Sequence, residues 1–217
     1  MFFKSFNLIC LATAIALILG FQSKTSADFI AVNNTGVAES PRQDVSGSSD
    51  LAATSFTTGA TPYNLVSAAG IFASETPNNE TFEASIYSDV SGLPGTLLHT
   101  LSGQATLPGS QEQFLTFTSD GYVFAANTTY WVAFRSVNGT SPDQGPIVAN
   151  NLSQFSPVGW TINDGRGSST DSGATWIAAG SSALKIEVTV NTDIPEPASL
   201  ALIACGGMLI LGRRRRA

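Results

Sequence analysis

Hydrophobic positions in this chain follow two regimes. At the two ends they run on almost without a break, and between the ends they alternate with polar residues in short segments. Phe82, Ala84 and Ile86 alternate with Glu83, Ser85 and Tyr87, and Leu184, Ile186, Val188 and Val190 alternate with Lys185, Glu187 and Thr189. A period of two is that of a strand with one buried and one wet face. Residues 128–137 differ: Tyr130, Val132 and Phe134 share one face, while Trp131, Ala133 and Val137 share the other. Apolar groups on both faces predict a central strand. Further strands are expected over 29–32, 51–58, 64–73, 96–101 and 113–118, and around Trp160 (158–162) and Trp176 (174–178). The segments 46–50, 75–79, 88–95, 141–145 and 163–169 read as loops or turns, and Asp120-Gly121 as a tight turn. Short strands punctuated in this way predict an all-β fold, a single β-sandwich of jelly-roll-like form, with an up-and-down barrel as the alternative.

The unbroken apolar ends read as addresses. Lys4 precedes a mostly apolar stretch over 7–20, and Thr25-Ser26-Ala27 supplies the small residues that a signal peptidase reads. Residues 1–27 are therefore expected to form a secretory signal peptide with a short helix, cut between Ala27 and Asp28. An uncleaved N-terminal anchor is the alternative. At the other end, 198–212 carries no charge and is followed by Arg213, Arg214, Arg215 and Arg216. Those fifteen residues make a helix of roughly 22 Å against a bilayer core of about 30 Å, short for a permanent span. Arginine stems that reach back to the interface absorb part of the shortfall. The arginine charge favours the cytoplasmic side, which places the preceding chain outside that membrane. Pro195 and Pro197 fix their own φ and push Ile194 and Glu196 toward extended backbone. A stiff segment at a membrane surface suits the grip of a protease, since little entropy is lost on binding.

In order and position, Pro195-Glu196-Pro197, the apolar run with its small residues and the terminal arginines resemble the PEP-CTERM sorting tail of Gram-negative and related bacteria. The resemblance implies recognition by an exosortase, a membrane-embedded cysteine transpeptidase that removes the helix and the arginines. It also implies a setting of exopolysaccharide and biofilm, with passage through the inner membrane to the cell surface or extracellular matrix. A plain anchor that stays uncut is the alternative. Three phrases of the middle region resemble the choice-of-anchor modules of bacterial surfaces, type R in particular. They are Ser55-Phe56-Thr57-Thr58-Gly59, then Ile86-Tyr87-Ser88-Asp89 leading to Gly92-Leu93-Pro94-Gly95-Thr96-Leu97-Leu98, and Asn127-Thr128-Thr129-Tyr130-Trp131-Val132. That likeness implies a displayed β-sandwich and supplies no catalytic residue. The expected domains are a signal peptide (1–27), a β-sandwich ectodomain (28–192) and a sorting tail (193–217).

Charge and chemistry sharpen this picture by exclusion. Between Asp28 and Pro197 four basic residues, Arg42, Arg135, Arg166 and Lys185, stand against all sixteen acids. A domain so acidic repels nucleic acid and anionic membrane. Cys10 and Cys205 both lie in the apolar ends, so the middle has neither disulfide nor thiol chemistry. The single histidine, His99, needs a partner to act as a base and reads as structural. No Gly-x-Ser-x-Gly, His-Glu-x-x-His or phosphate loop occurs. No catalytic residue, metal site or cofactor is expected. Asn163-Asp164-Gly165 with Asp171 could hold calcium only outside the standard loop spacing. Trp131, Trp160 and Trp176 admit two readings, packing in the core or stacking on extracellular polysaccharide. A polysaccharide hydrolase would need two carboxyls facing each other across a cleft.

Overall fold

The computed structural model describes residues 26–74, 79–103, 105–108, 112–138 and 144–192. The expected signal segment up to Thr25 and the tail from Asp193 lie outside the described residues. In chain order the strands are β1 (Phe29–Asn33), β2 (Glu39–Ser40), β3 (Leu51–Thr57), β4 (Tyr63–Ser74), β5 (Asn79–Val90), β6 (Leu93–Thr100), β7 (Ala105–Pro108), β8 (Gln113–Thr118), β9 (Val123–Phe124), β10 (Thr129–Ser136), β11 (Gln144–Pro146), β12 (Val148–Ala149), β13 (Thr161–Ser169), β14 (Ile177–Gly180) and β15 (Ile186–Asn191). The described chain is all-β, and none of its described residues forms a helix long and apolar enough to cross a membrane.

Two antiparallel sheets carry the fold. One runs β1-β15-β4-β11, with β8 and β9 also paired to β4. The other runs β14-β13-β3-β10-β5-β6, with β7 also paired to β5. A short third ladder joins β12 to β2. β10 lies between β3 and β5, in register at Ala133↔Ala53 and Ala133↔Ser85, which is the central place its two apolar faces predict.

The core lies where the two sheets face each other. Phe72 of β4 meets Phe82 of β5 at 4.6 Å and Phe134 of β10 at 5.1 Å between ring centroids. Gly70 leaves the room for this: a Cβ there would sit 3.2 Å from the Phe134 ring. Farther along, Trp160 stacks on Phe56 at 5.5 Å and 5°, and both meet Phe124 edge-on. Edge and stacked geometries are those that the ring quadrupole favours. Leu184, Ile186, Val188 and Val190 are all fully buried, as their alternation predicts.

Several sequence expectations are corrected. Lys185, expected on a wet face, is buried, and its ammonium meets Glu39 at 2.8 Å. The segment 88–95, expected as a loop, is the tip of a hairpin. Val90 pairs with Leu93 around Ser91-Gly92, whose φ values are +55° and +80°. Two positive φ values make the two-residue turn that suits strand twist. Pro94 is tolerated there because β6 is an edge strand. The segment 163–169, expected as a turn, belongs to β13, and 144–146 forms β11. Asp120-Gly121 bends the chain without reversing it, because β8 and β9 both pair with β4. Trp160 and Trp176 each stand just before a strand rather than within one.

Candidate functional site

The outward face of the larger sheet is divided. Leu51, Ala53, Tyr87, Trp131 and Ala133 form a second, small apolar cluster there, with Trp176 packed over it. Trp176 is delivered by the segment 170–176, which Asp171 ties together. The Asp171 carboxylate accepts from the Thr175 N–H at 2.8 Å, the Thr175 hydroxyl at 2.7 Å and the Ser169 hydroxyl at 2.8 Å. These donors, the Thr175 N–H first, hold the Asp171 carboxyl below the usual carboxylate range. Gly173, at φ +85°, passes under Tyr87, whose hydroxyl would lie 2.7 Å from any Cβ.

Beyond Trp131 the same face turns polar and forms a trough of about 380 Å3. Its floor is Ser55 and Thr57 of β3 with Thr129 and Trp131 of β10. One wall is an irregularity in β13. Ile162 pairs with Phe56 and Arg166 with Thr54, so three residues, 163–165, stand opposite Ser55 alone. Gly165, at φ +98°, supplies the left-handed residue this bulge requires. The opposite wall is the β5–β6 hairpin, through Asp89 and Gly92.

The polar groups of the trough are mutually fixed. The Thr57 and Thr129 hydroxyls lie 2.9 Å apart. The Asn163 amide donates to the Ser55 and Thr57 hydroxyls, each at 3.1 Å. Trp131 Nε1 donates to Asp89 Oδ1 at 2.8 Å. Arg166 also borders the trough, but its guanidinium donates to Gln43 Oε1, Ser182 O and Ala179 O. Burial lowers the affinity of that guanidinium for its proton.

The sequence-derived site residues scatter. Pro195, Glu196, Pro197 and Arg213, Arg214, Arg215 and Arg216 lie outside the described residues. Ala27 and Asp28 are exposed, immediately before β1. Asp28 Oδ1 accepts from Asn191 Nδ2 at 3.0 Å, and Ser26 is bonded to Thr192. Trp160 belongs to the inter-sheet core, and Trp131 and Trp176 belong to the outer cluster, so the three make no common platform. An exposed aromatic does occur elsewhere. Phe155 is 60% exposed and is held in place by two backbone hydrogen bonds to Asn33, beside a depression of about 500 Å3. Ser153-Gln154-Phe155 carries no periodicity that would have marked it in the sequence.

His99 has neighbours that suggest a triad without its geometry. The Ser119 hydroxyl and Asp120 Oδ1 lie 3.1 Å and 3.3 Å away, both from Nε2. A triad base uses one ring nitrogen for the nucleophile and the other for the carboxylate. Ser119 Oγ instead accepts the N–H groups of Gly121 and Tyr122, and the imidazole stacks on Tyr122. The calcium grouping is also pulled apart. Asn163 lies near the start of β13 and Asp171 beyond its end, and among the described residues no three His, Cys, Asp or Glu side chains come together.

Among curated proteins none matches this chain. Among solved structures it is similar to the cysteine protease and lectin-like domains of Cwp84, a surface layer associated protein of Clostridium difficile. The identity is 12% and the TM-score 0.45, over 67% of this chain and 33% of that one. It is also similar to the viral particle of infectious bursal disease virus, with 11% identity and a TM-score of 0.35, over 79% of this chain and 42% of the other. This chain thus spans less than half the length of either. Residues 193–216 match the model of the PEP-CTERM protein-sorting motif. Over residues 193–216, therefore, this chain, all-β in its described residues, carries a PEP-CTERM protein-sorting motif, the mark of an exported and sorted protein.

Proposed function

We propose that this chain is an exported surface or matrix protein whose folded part is a non-catalytic β-sandwich module of jelly-roll-like, choice-of-anchor type. In this reading a signal peptide ending at Ala27 takes it across the inner membrane. The helix over 198–212 then stops in that membrane, and an exosortase cuts near Pro195-Glu196-Pro197. The product joins the surface or the exopolysaccharide matrix as a structural or interaction component. The observation that carries the reading is the sorting motif matched over 193–216.

Mass spectrometry of the surface-bound or released protein tests it. The expected product begins at Asp28, ends near Pro195 and lacks Arg213–Arg216. Replacing Pro195 and Pro197 by alanine should leave the uncut chain in the inner membrane. Recovery of a surface form that still carries the four arginines would refute processing.

A further inference from the structure

We infer that the trough across β3, β10 and β13 is a binding site for an uncharged saccharide. The inference does not depend on the sorting reading, since a chain that kept its arginines would present the same trough.

The position is the first argument. Ser55, Thr57 and Thr129 stand on strands that lie inside the sheet, on a face whose neighbouring half is apolar and covered by Trp176. The polar half is left open between two raised walls, the β13 bulge and the β5–β6 hairpin. Bulges re-aim side chains beside functional sites, and here the bulge turns the Asn163 carboxamide onto the floor, where it bonds to Ser55 and Thr57. The volume, about 380 Å3, falls within the ~300–1,000 Å3 of small-molecule clefts.

The donor set identifies the ligand class. Three hydroxyls and a carboxamide each both donate and accept, which suits a ligand whose own hydroxyls do the same. The Asp89 and Asp164 carboxylates accept only, and buried Trp131 takes part by fixing Asp89 through its indole N–H. Apart from Asp164, each of these groups is held by another at 2.8–3.1 Å, so less entropy is lost when a ligand is seated. Charge selects against acidic sugars. Two carboxylates line the trough, and the guanidinium at its rim is already bonded to Gln43, Ser182 and Ala179. A phosphate or uronate would meet carboxylate without a free cation to offset it.

Calorimetric titration of the full-length chain in detergent with cellohexaose, xylohexaose and chitohexaose, and with polygalacturonate as the acidic probe, tests this. At least one neutral hexamer should bind, and polygalacturonate should not. Asn163→Ala and the pair Thr57→Val with Thr129→Val should each weaken binding about tenfold or more, as the loss of hydrogen bonds at a built site does. Phe155→Ala, in the separate depression beside Asn33, should leave affinity unchanged. A measurement on the unaltered chain covers variants that fail to fold: the Trp131 indole N–H resonance should move as the sugar is added. No binding by any neutral hexamer, preference for polygalacturonate, loss of binding in Phe155→Ala alone, or a Trp131 resonance that stays still under saturation would each overturn the assignment.

Discussion

Trp160 shows how much one residue can carry and how little of that is visible in its letter. It is 2% exposed, stacked on Phe56 and flanked edge-on by Phe124. Removing it should cost about 3–5 kcal/mol, the usual range for a large buried aromatic. Its indole N–H, however, finds no acceptor among the described residues. A buried donor left unpaired carries a penalty of about 1–3 kcal/mol. Trp160→Phe should therefore lose much less stability than Trp160→Ala, because the penalty disappears while most of the stacking remains. Urea unfolding of both variants checks this, and equal losses would contradict it. The sequence marked three tryptophans as one group, since their letters are the same. Which side of a sheet each faces depends on register, and Trp160 and Trp131 end on opposite sides of the same one. Lys185 is the companion case. Alternation predicts a wet face, but Lys185 stands just before β15, where Glu39 of β2 meets its buried ammonium.

At the scale of elements, strands with alternating apolar residues were legible and strands made of polar residues and glycine were not. The segment 82–87 and β10 and β15 appear where the period of two places them. β13 was missed because Asn163-Asp164-Gly165 is turn chemistry, and here that chemistry makes a bulge inside a strand rather than an end to it. The trough depends on that bulge, so the site was illegible for the same reason. The segment 170–176 gives an element-scale prediction. Its donors stabilise ionised Asp171 in the folded chain, so the carboxyl is held below its ordinary range. The sign follows from linkage. The contribution is present above the ordinary carboxylate value and is lost as the pH falls through the lowered one. Asp171→Asn at neutral pH should reproduce the acid behaviour of the parent chain, with faster hydrogen exchange at Thr175 and easier acrylamide quenching of Trp176. Exchange at Thr175 that is unchanged both in acid and in the variant would show that the carboxylate does not hold the segment.

For the whole molecule, composition and turn spacing were enough to read an all-β fold, and not enough to read the order of strands in each sheet. Order is set by pairings between residues far apart in sequence, which no local pattern encodes. β15 is the clearest instance: it lies between β1 and β4, with Phe29↔Val190 on one side and Val188↔Ala68 on the other. Deleting residues 186–191 should therefore remove an interior strand rather than trim an edge. It would expose Ala31, Val32 and Leu65, and the truncated chain should be digested at protease levels that the parent survives. Comparable resistance would mean that the smaller sheet closes without its last strand.

This placement also bears on timing. A chain threaded outward from its N-terminus would deliver β1 first and β15 last, so the sheet they share could not close until nearly everything had passed through the pore. The segment that completes the architecture is also the one that leads directly into the tail. Maturation of the fold and arrival of the sorting motif at the bilayer would then be almost a single event.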